Sequence, residues 1–175
     1  THKTIAAVEG MADRSILVDT FSKTYIMTGF RIGWCVGNKD LITAMDIFQQ
    51  NSVTNVPAFV QLAALAAITG PQDHVIEITK KLEAKRDKTV AALNALDGVE
   101  CPSPDGSFYV FPDIRGTGMT AQQFADYLIE NYQVGVVAGS AFGDRGEGHI
   151  RLTYACPDEV LEEGLDRIRQ GVENL

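Results

Sequence analysis

The sequence of 175 residues is long enough for one ordinary domain or slightly more, so it can bury an apolar core without disulfide or metal cross-links. Apolar residues make up 45% and charged residues 22%, which argues against a disordered or collagen-like chain. The formal net charge is -8, and no apolar run approaches the roughly 18 residues of a membrane span, so we expect neither nucleic acid nor a membrane as partner.

The first part of the chain predicts two strands followed by two helices. Residues 15–19 form a short apolar run of the buried-strand type, and residues 30–36 form a β-rich run closed by Gly37. Asn38 predicts the start of a helix that ends near residue 51, because its side chain can cap the first turn. Pro57 predicts the start of the next helix, which stops at Gly70.

The second part predicts one long helix and then a mixture of strands and helices. Apolar residues recur at three-to-four spacing over residues 72–96, which indicates an amphipathic helix. Strands are predicted over residues 99–101, 107–111, 134–137 and 149–154. Thr120 and Gln123 predict a capping box for a helix that runs to residue 131, and Pro157 begins the last helix. The Gly70–Pro71 step predicts a domain boundary.

The cysteines and histidines do not indicate a metal centre. Three cysteines at wide spacing fit neither a disulfide framework nor a zinc site, so we expect reduced thiols and a cytoplasmic protein; they are Cys35, Cys101 and Cys156. The histidines at positions 2, 74 and 149 also lack metal-ligand spacing, so no metal is expected. The N-terminus has no signal-peptide pattern and begins with Thr1, from which we expect a processed chain or one cut from something longer.

The residues most capable of chemistry follow the first predicted strand. Lys23 lies in the turn, the hydroxyls of Thr20 and Ser22 precede it, and Arg31 follows at the start of the next strand. A lysine in a turn is normally only solvated, so the interpretation depends on the combination. Two hydroxyls and a guanidinium can bind a phosphate, and Lys23 beside them is placed as an amine nucleophile. A phosphate anchor with an imine-forming lysine is what pyridoxal phosphate requires.

Four motifs in register resemble one enzyme family. Residues 20–33, TFSKTYIMTGFRIG, resemble the Schiff-base lysine signature of the class I/II aminotransferases of fold type I. Residues 106–112, GSFYVFP, resemble the first strand of that family's small domain. Two further segments resemble the last conserved blocks of that family: residues 137–143, VAGSAFG, and residues 148–155, GHIRLTYA. The resemblance covers nearly the whole chain, and the motifs occur in the expected order.

The resemblance implies roles for five side chains. Lys23 would form the internal aldimine with pyridoxal 5'-phosphate and later move the α-proton of the substrate. Arg31, Thr20 and Ser22 would hold the phosphate of the cofactor, although the family more often has serine where this chain has Thr20. Arg151 would bind the substrate α-carboxylate through two parallel hydrogen bonds. Strand alternation places Arg151 on the opposite face from its two apolar neighbours.

The resemblance also implies an α/β fold with two parts. Residues 1–70 would be the C-terminal part of a large cofactor-binding domain. Residues 71–175 would be the small C-terminal domain, which begins with a long connecting helix and has a β-sheet with helices mainly on one face. The implied parent is a homodimer that transfers an amino group from an amino acid to a 2-oxo acid. The family's acidic partner for the pyridine nitrogen lies well upstream of the lysine, so we expect this chain alone to be inactive.

Three alternatives stay open on the sequence. A lyase or decarboxylase of the same fold would use Lys23 and pyridoxal phosphate in the same way. A transcription regulator with an aminotransferase-like effector domain would need a DNA-binding domain upstream of Thr1. The chain alone could also be a folded domain without activity. Residues 51–59 contain no arginine, so a preference for dicarboxylic substrates has no support there.

Overall fold

The computed structural model describes residues 3–175 as a mixed α/β chain. The predictions about Thr1 and His2 lie outside the described residues. The α-helices are α1 (Phe21–Thr24), α2 (Lys39–Ser52), α3 (Ala58–Thr69), α4 (Asp73–Asn94), α5 (Ala121–Tyr132) and α6 (Asp158–Glu173). The β-strands are β1 (Leu17–Thr20), β2 (Gly33–Val36), β3 (Tyr109–Val110), β4 (Val137–Ala138) and β5 (Ile150–Thr153).

The chain divides into two compact units, Thr1–Ile76 and Glu77–Leu175. The helix α4 begins in the first unit and continues in the second. The domain boundary that the sequence indicates between residues 70 and 71 stays a prediction. Within residues 3–175, no helix is long and apolar enough to cross a membrane.

The first unit contains a two-stranded antiparallel ribbon. The strands β1 and β2 pair in a register that places Thr20 opposite Gly33. This close pairing requires glycine, because a Cβ on Gly33 would lie 2.7 Å from the carbonyl oxygen of Asp19. The apolar, β-rich sequence of residues 30–36 predicts that Trp34 belongs to the core, but this side chain is 40% exposed on β2, so that prediction is wrong. The ribbon has only two strands, and no second layer in the described residues encloses this side chain.

The second unit contains a three-stranded antiparallel sheet in the order β3-β5-β4. One face packs on helices α4, α5 and α6, and the buried cluster there includes Leu93, Val110, Phe124, Leu128, Ile150, Leu152, Leu161, Leu165 and Ile168. This arrangement confirms the expected α/β fold with a sheet covered by helices. Arg151 lies between the buried residues Ile150 and Leu152, so strand alternation places it on the opposite face, as predicted.

A local sequence signal accounts for the start of α5. Thr120 and Gln123 form the predicted capping box at the start of α5.

The predicted strand over residues 99–101 is reduced to a single bridge between Glu100 and Asp113. The reason is that the side chain of Asn94 bonds both backbone groups of Cys101, at 2.7 Å from the amide nitrogen and 2.9 Å from the carbonyl oxygen. The backbone groups of Cys101 are therefore bonded to a side chain, and they are not free to pair with a neighbouring strand.

Candidate active site

The turn that carries Lys23 is fixed by a helix cap. Thr20 ends β1 and is the N-cap of α1, and its hydroxyl oxygen accepts a hydrogen bond of 3.1 Å from the backbone nitrogen of Ser22. This bond holds the first turn in place and leaves the hydroxyl proton of Thr20 available to an outside acceptor. Lys23 lies in the last turn of α1 with its side chain exposed.

A small apolar cluster anchors the turn from the other side. Phe21 is 6% exposed and packs with Met27 and Ala64, which places α1 against α3. The backbone nitrogen of Phe21 donates to the carbonyl of Ile32 at 3.3 Å. Because one side of the turn is buried, Lys23 and its neighbouring hydroxyls are held on the other side.

Arg31 directly precedes Ile32, the residue whose carbonyl accepts that hydrogen bond. Its backbone is left-handed, with φ of 52° and ψ of 50°, and Ile26 is also left-handed at φ of 56°. Such backbones cost about 1–3 kcal/mol for residues other than glycine and are concentrated at functional sites. The guanidinium of Arg31 donates to the carbonyl of Thr28 at 3.1 Å. In the described part of the chain it has no carboxylate partner, so its charge remains available to an anion.

The structure therefore brings four of the five predicted site residues to one end of the ribbon. Thr20, Ser22, Lys23 and Arg31 supply two hydroxyls, an amine and a guanidinium, all of which donate hydrogen bonds. This donor set fits a phosphate with an electrophilic carbon close by, which are the anchoring group and the reactive aldehyde of pyridoxal phosphate. The side of β2 beside Arg31 also borders a cavity of about 700 Å³.

Arg151 belongs to the second unit, and aromatic rings contact it. Its guanidinium carbon lies 4.4 Å from the ring centroid of Tyr109 and 4.7 Å from that of Phe142. Sequence reasoning assigned no function to these two rings. No local sequence pattern links them to Arg151, because the contact depends on the pairing of Tyr109 with Thr153, and residues two apart on β5 share one face. The side chains of Tyr109 and Arg151 are therefore diagonal neighbours on the sheet.

A charged pair, Asp113 and Arg115, follows β3 in the chain. The carboxylate of Asp113 accepts hydrogen bonds from the backbone nitrogen of Arg115 at 2.9 Å and from its Nε atom at 2.8 Å. These hydrogen bonds from Arg115 lower the pKa of Asp113.

The ring of His149 stacks on Phe111 with centroids 5.2 Å apart. Within residues 3–175, no group of His, Cys, Asp or Glu is arranged to hold a metal ion.

Comparison with known proteins agrees with these motifs. The profile of the family described as Aminotransferase class I and II matches residues 2–168. The chain belongs to this aminotransferase family. Lys23, Arg31 and Arg151 all lie inside the matched range. The helix α6 extends beyond the end of the matched range, to Glu173.

Curated members of the aminotransferase family are similar over almost the whole chain. An aspartate aminotransferase of Pyrococcus horikoshii is 37% identical over 163 residues, which are 92% of this chain and 42% of the relative. An aspartate/prephenate aminotransferase of Cereibacter sphaeroides is 41% identical over 170 residues, which are 91% of this chain and 42% of the relative. The chain thus spans less than half the length of these relatives.

Solved aminotransferase structures show the same fold. An aromatic aminotransferase from Pyrococcus horikoshii superimposes with a TM-score of 0.96 at 37% identity, over 99% of this chain and 47% of that one. The aspartate aminotransferase from Rhizobium meliloti gives a TM-score of 0.90 at 36% identity, over 95% of this chain and 44% of that one. The chain has the fold of the C-terminal portion of these enzymes.

Proposed function

We propose that this chain is the lysine-bearing portion of a pyridoxal-phosphate-dependent aminotransferase that transfers an amino group from an amino acid to a 2-oxo acid. The observation that carries the proposal is Lys23 on α1, close in the fold to the hydroxyls of Thr20 and Ser22 and to the guanidinium of Arg31, which has no carboxylate partner in the described residues. The matched family and the names of the relatives support amino-group transfer over a lyase, a decarboxylase or the effector domain of a regulator.

Each side chain has one task in this proposal. Thr20, Ser22 and Arg31 hold the phosphate by hydrogen bonds and charge. The amine of Lys23 would hold the cofactor through its aldehyde carbon and, once the substrate amine has replaced it there, would accept the proton from the substrate Cα atom. Arg151 binds the substrate α-carboxylate through two parallel N–H groups and so orients the Cα–H bond. When bound, the cofactor supplies a ring that withdraws electrons from the substrate Cα.

The chain supplies only part of such a site. An acidic group at the ring nitrogen is needed to make the cofactor an electron sink. Asp19 is near Lys23 in sequence, but its Oδ1 atom accepts a hydrogen bond of 2.6 Å from the backbone nitrogen of Thr20. The carboxylate of Asp19 is therefore engaged with the backbone at the end of β1. We propose that the acidic group at the ring nitrogen comes from the rest of a longer protein. We further propose a cytoplasmic homodimer, a location that fits three free cysteines.

The first experiment maps the lysine that binds the cofactor. The protein that carries these residues at its full gene length is mixed with pyridoxal phosphate, reduced with borohydride and digested for mass spectrometry. We expect the label on Lys23, and we expect Lys23→Arg, which keeps the positive charge, to abolish it. A label on another lysine with Lys23 unmodified would overturn the assignment.

The second experiment compares the full-length protein with the 175-residue chain. Amino-group transfer is measured with a panel of amino acids and 2-oxoglutarate as acceptor. We expect turnover by the longer protein and none by the 175 residues alone, because the acidic partner is missing. Sustained turnover by the short chain would show that all essential groups lie within it.

A further inference from the structure

The surroundings of Arg151 differ from those of most other arginines in the second unit. Arg115, Arg167 and Arg169 each form a salt bridge with a carboxylate. The guanidinium of Arg151 contacts two aromatic rings, and among residues 3–175 it has no carboxylate or hydrogen-bond partner. A ring attracts the flat face of a guanidinium and leaves the N–H groups at its edge unbonded. All five donors of Arg151 are thus available to a ligand.

The ring of Phe142 is itself held in place by a tightly packed loop. Phe142 ends a short 3-10 helix, Gly139–Phe142, whose first residue donates its N–H to the carbonyl of His149 at 2.7 Å. The backbones of Gly139 and Gly146 are in direct contact, which a side chain at either position would prevent. The ring of Phe142 also meets that of Phe111 edge to face, with centroids 6.0 Å apart. The loop and Phe111 together fix where Phe142 can lie.

The second ring is held by the sheet. Tyr109 lies on β3, whose pairing with β5 places it on the same face as Arg151. Its ring is also 4.5 Å from that of Phe108. Two rings on separate segments therefore contact one guanidinium, and both segments are fixed independently of any ligand.

We propose that Tyr109 and Phe142 are positioning residues that hold the guanidinium of Arg151 in the orientation that binds a substrate carboxylate. This inference rests on the proposed function, because it assigns the two rings to the residue that would bind the substrate carboxylate. Arginine has many rotamers, and a side chain ordered before the ligand arrives loses less freedom on binding. The rings also replace an acidic partner, which would compete with the substrate for the same N–H groups.

The experiment uses graded fluorination of Phe142 in the full-length protein. Phenylalanine, 4-fluoro-, 3,5-difluoro- and 3,4,5-trifluorophenylalanine are incorporated at this position. Fluorine withdraws electron density from the face of the ring and weakens its attraction for a cation, with little change in volume. Binding of 3-phenylpropionate, a carboxylate that cannot react, is measured by calorimetry, and KM and kcat are measured with an amino acid.

We expect the Kd of 3-phenylpropionate to rise with each added fluorine. Removing the ring altogether, in Phe142→Leu, should raise both Kd and KM by about 2- to 30-fold, with a smaller change in kcat. Phe142→Tyr should restore values near those of the original protein. Phe142 is 53% exposed, so these variants are expected to fold. Fluorination of Phe48, which is 75% exposed on α2 in the first unit, is the control and should give no such trend.

Each outcome separates the inference from the proposed function. If Arg151→Lys raises the Kd of 3-phenylpropionate but fluorination of Phe142 leaves it constant, the positioning role is refuted and the proposed function stands. If Arg151→Lys has no effect on carboxylate binding, both the clamp and its positioning are refuted. If the full-length protein shows no transamination but binds 3-phenylpropionate with the fluorine trend, the inference holds and the proposed reaction is wrong.

Discussion

Gly139→Ala should loosen the loop that holds Phe142 and destabilise the second unit. A Cβ at this position would overlap the carbonyl oxygen of Gly146 and would lie 2.6 Å from the carbonyl oxygen of His149. It would also lie 2.9 Å from the Cζ atom of Phe111. Two of these three neighbours are backbone atoms, which cannot move aside by a change of rotamer. The loop must shift, and the hydrogen bond from Gly139 to His149 is then lost or weakened.

The expected cost follows from these two effects. An added methyl in a closely packed site costs about 1–3 kcal/mol. A buried backbone group left without its hydrogen bond costs roughly 1–3 kcal/mol. The two effects share the same displacement and do not add in full, so we expect a loss of about 2–4 kcal/mol of unfolding free energy. That loss corresponds to a rise of about 30- to 1,000-fold in the population of the opened unit.

Cys101 provides an assay for this opening. It is 2% exposed in the core of the second unit, and burial raises its pKa to about 11, so it reacts only when the unit opens. The other two thiols are replaced, as Cys35→Ser and Cys156→Ser, and the rate of labelling by a disulfide reagent is followed at pH 8. Gly139→Ala should raise this rate by the same 30- to 1,000-fold, estimated from about 2–4 kcal/mol.

Gly164→Ala is the matched control in the same unit. Gly164 lies within α6, and a Cβ there would meet no atom within 4 Å. Alanine is the better helix former by about 1 kcal/mol, so this variant should label more slowly than the original protein. Equal labelling rates for Gly139→Ala and the original protein would refute the argument from close backbone contact.

Three further predictions concern the second unit. Thr120→Ala removes the capping box and should cost about 1 kcal/mol in urea unfolding, whereas Phe124→Ala, at a fully buried position, should cost about 3–5 kcal/mol. The hydrogen bonds from Arg115 lower the folded-state pKa of Asp113, so their stabilisation is present above the ordinary carboxyl pKa of about 4 and is lost as the pH falls through the lowered value. Urea unfolding between pH 6 and pH 2 should therefore show a smaller acid-induced loss for Asp113→Asn; identical pH profiles would contradict this assignment. Iodoacetamide at pH 8 should leave Cys101 largely unmodified in the native protein, and rapid alkylation there would show that the thiol is accessible.

The sequence predicts those features that depend on near neighbours. Asn38 and Thr120 cap helices where predicted, because a cap needs only the residues that directly follow it. The amine of Lys23 and the hydroxyls and guanidinium around it are also close in sequence, so their pattern predicts that they lie together at one end of the ribbon. Their roles toward a cofactor stay predictions.

The features that the sequence did not reveal depend on contacts between distant segments. Tyr109 and Arg151 are separated by 42 positions in the numbering, and only the pairing of β3 with β5 makes them neighbours. The backbone contact between Gly139 and Gly146 also needs the folded loop, because glycine in sequence equally indicates a turn. Trp34 was wrongly assigned to the core because a short apolar strand does not reveal how many layers will cover it.

The exposed ribbon has a consequence for how the chain behaves in solution. Val18 is 72% exposed on β1, and each strand of the ribbon keeps one edge without a partner in the described residues. Such an edge can accept a strand from another molecule, and apolar side chains beside it favour aggregation. We expect the 175-residue chain to be most prone to aggregation at β1 and β2, and Val18→Lys to raise its solubility limit. The segment that leads to Lys23 is therefore also the one that most needs protection by its surroundings.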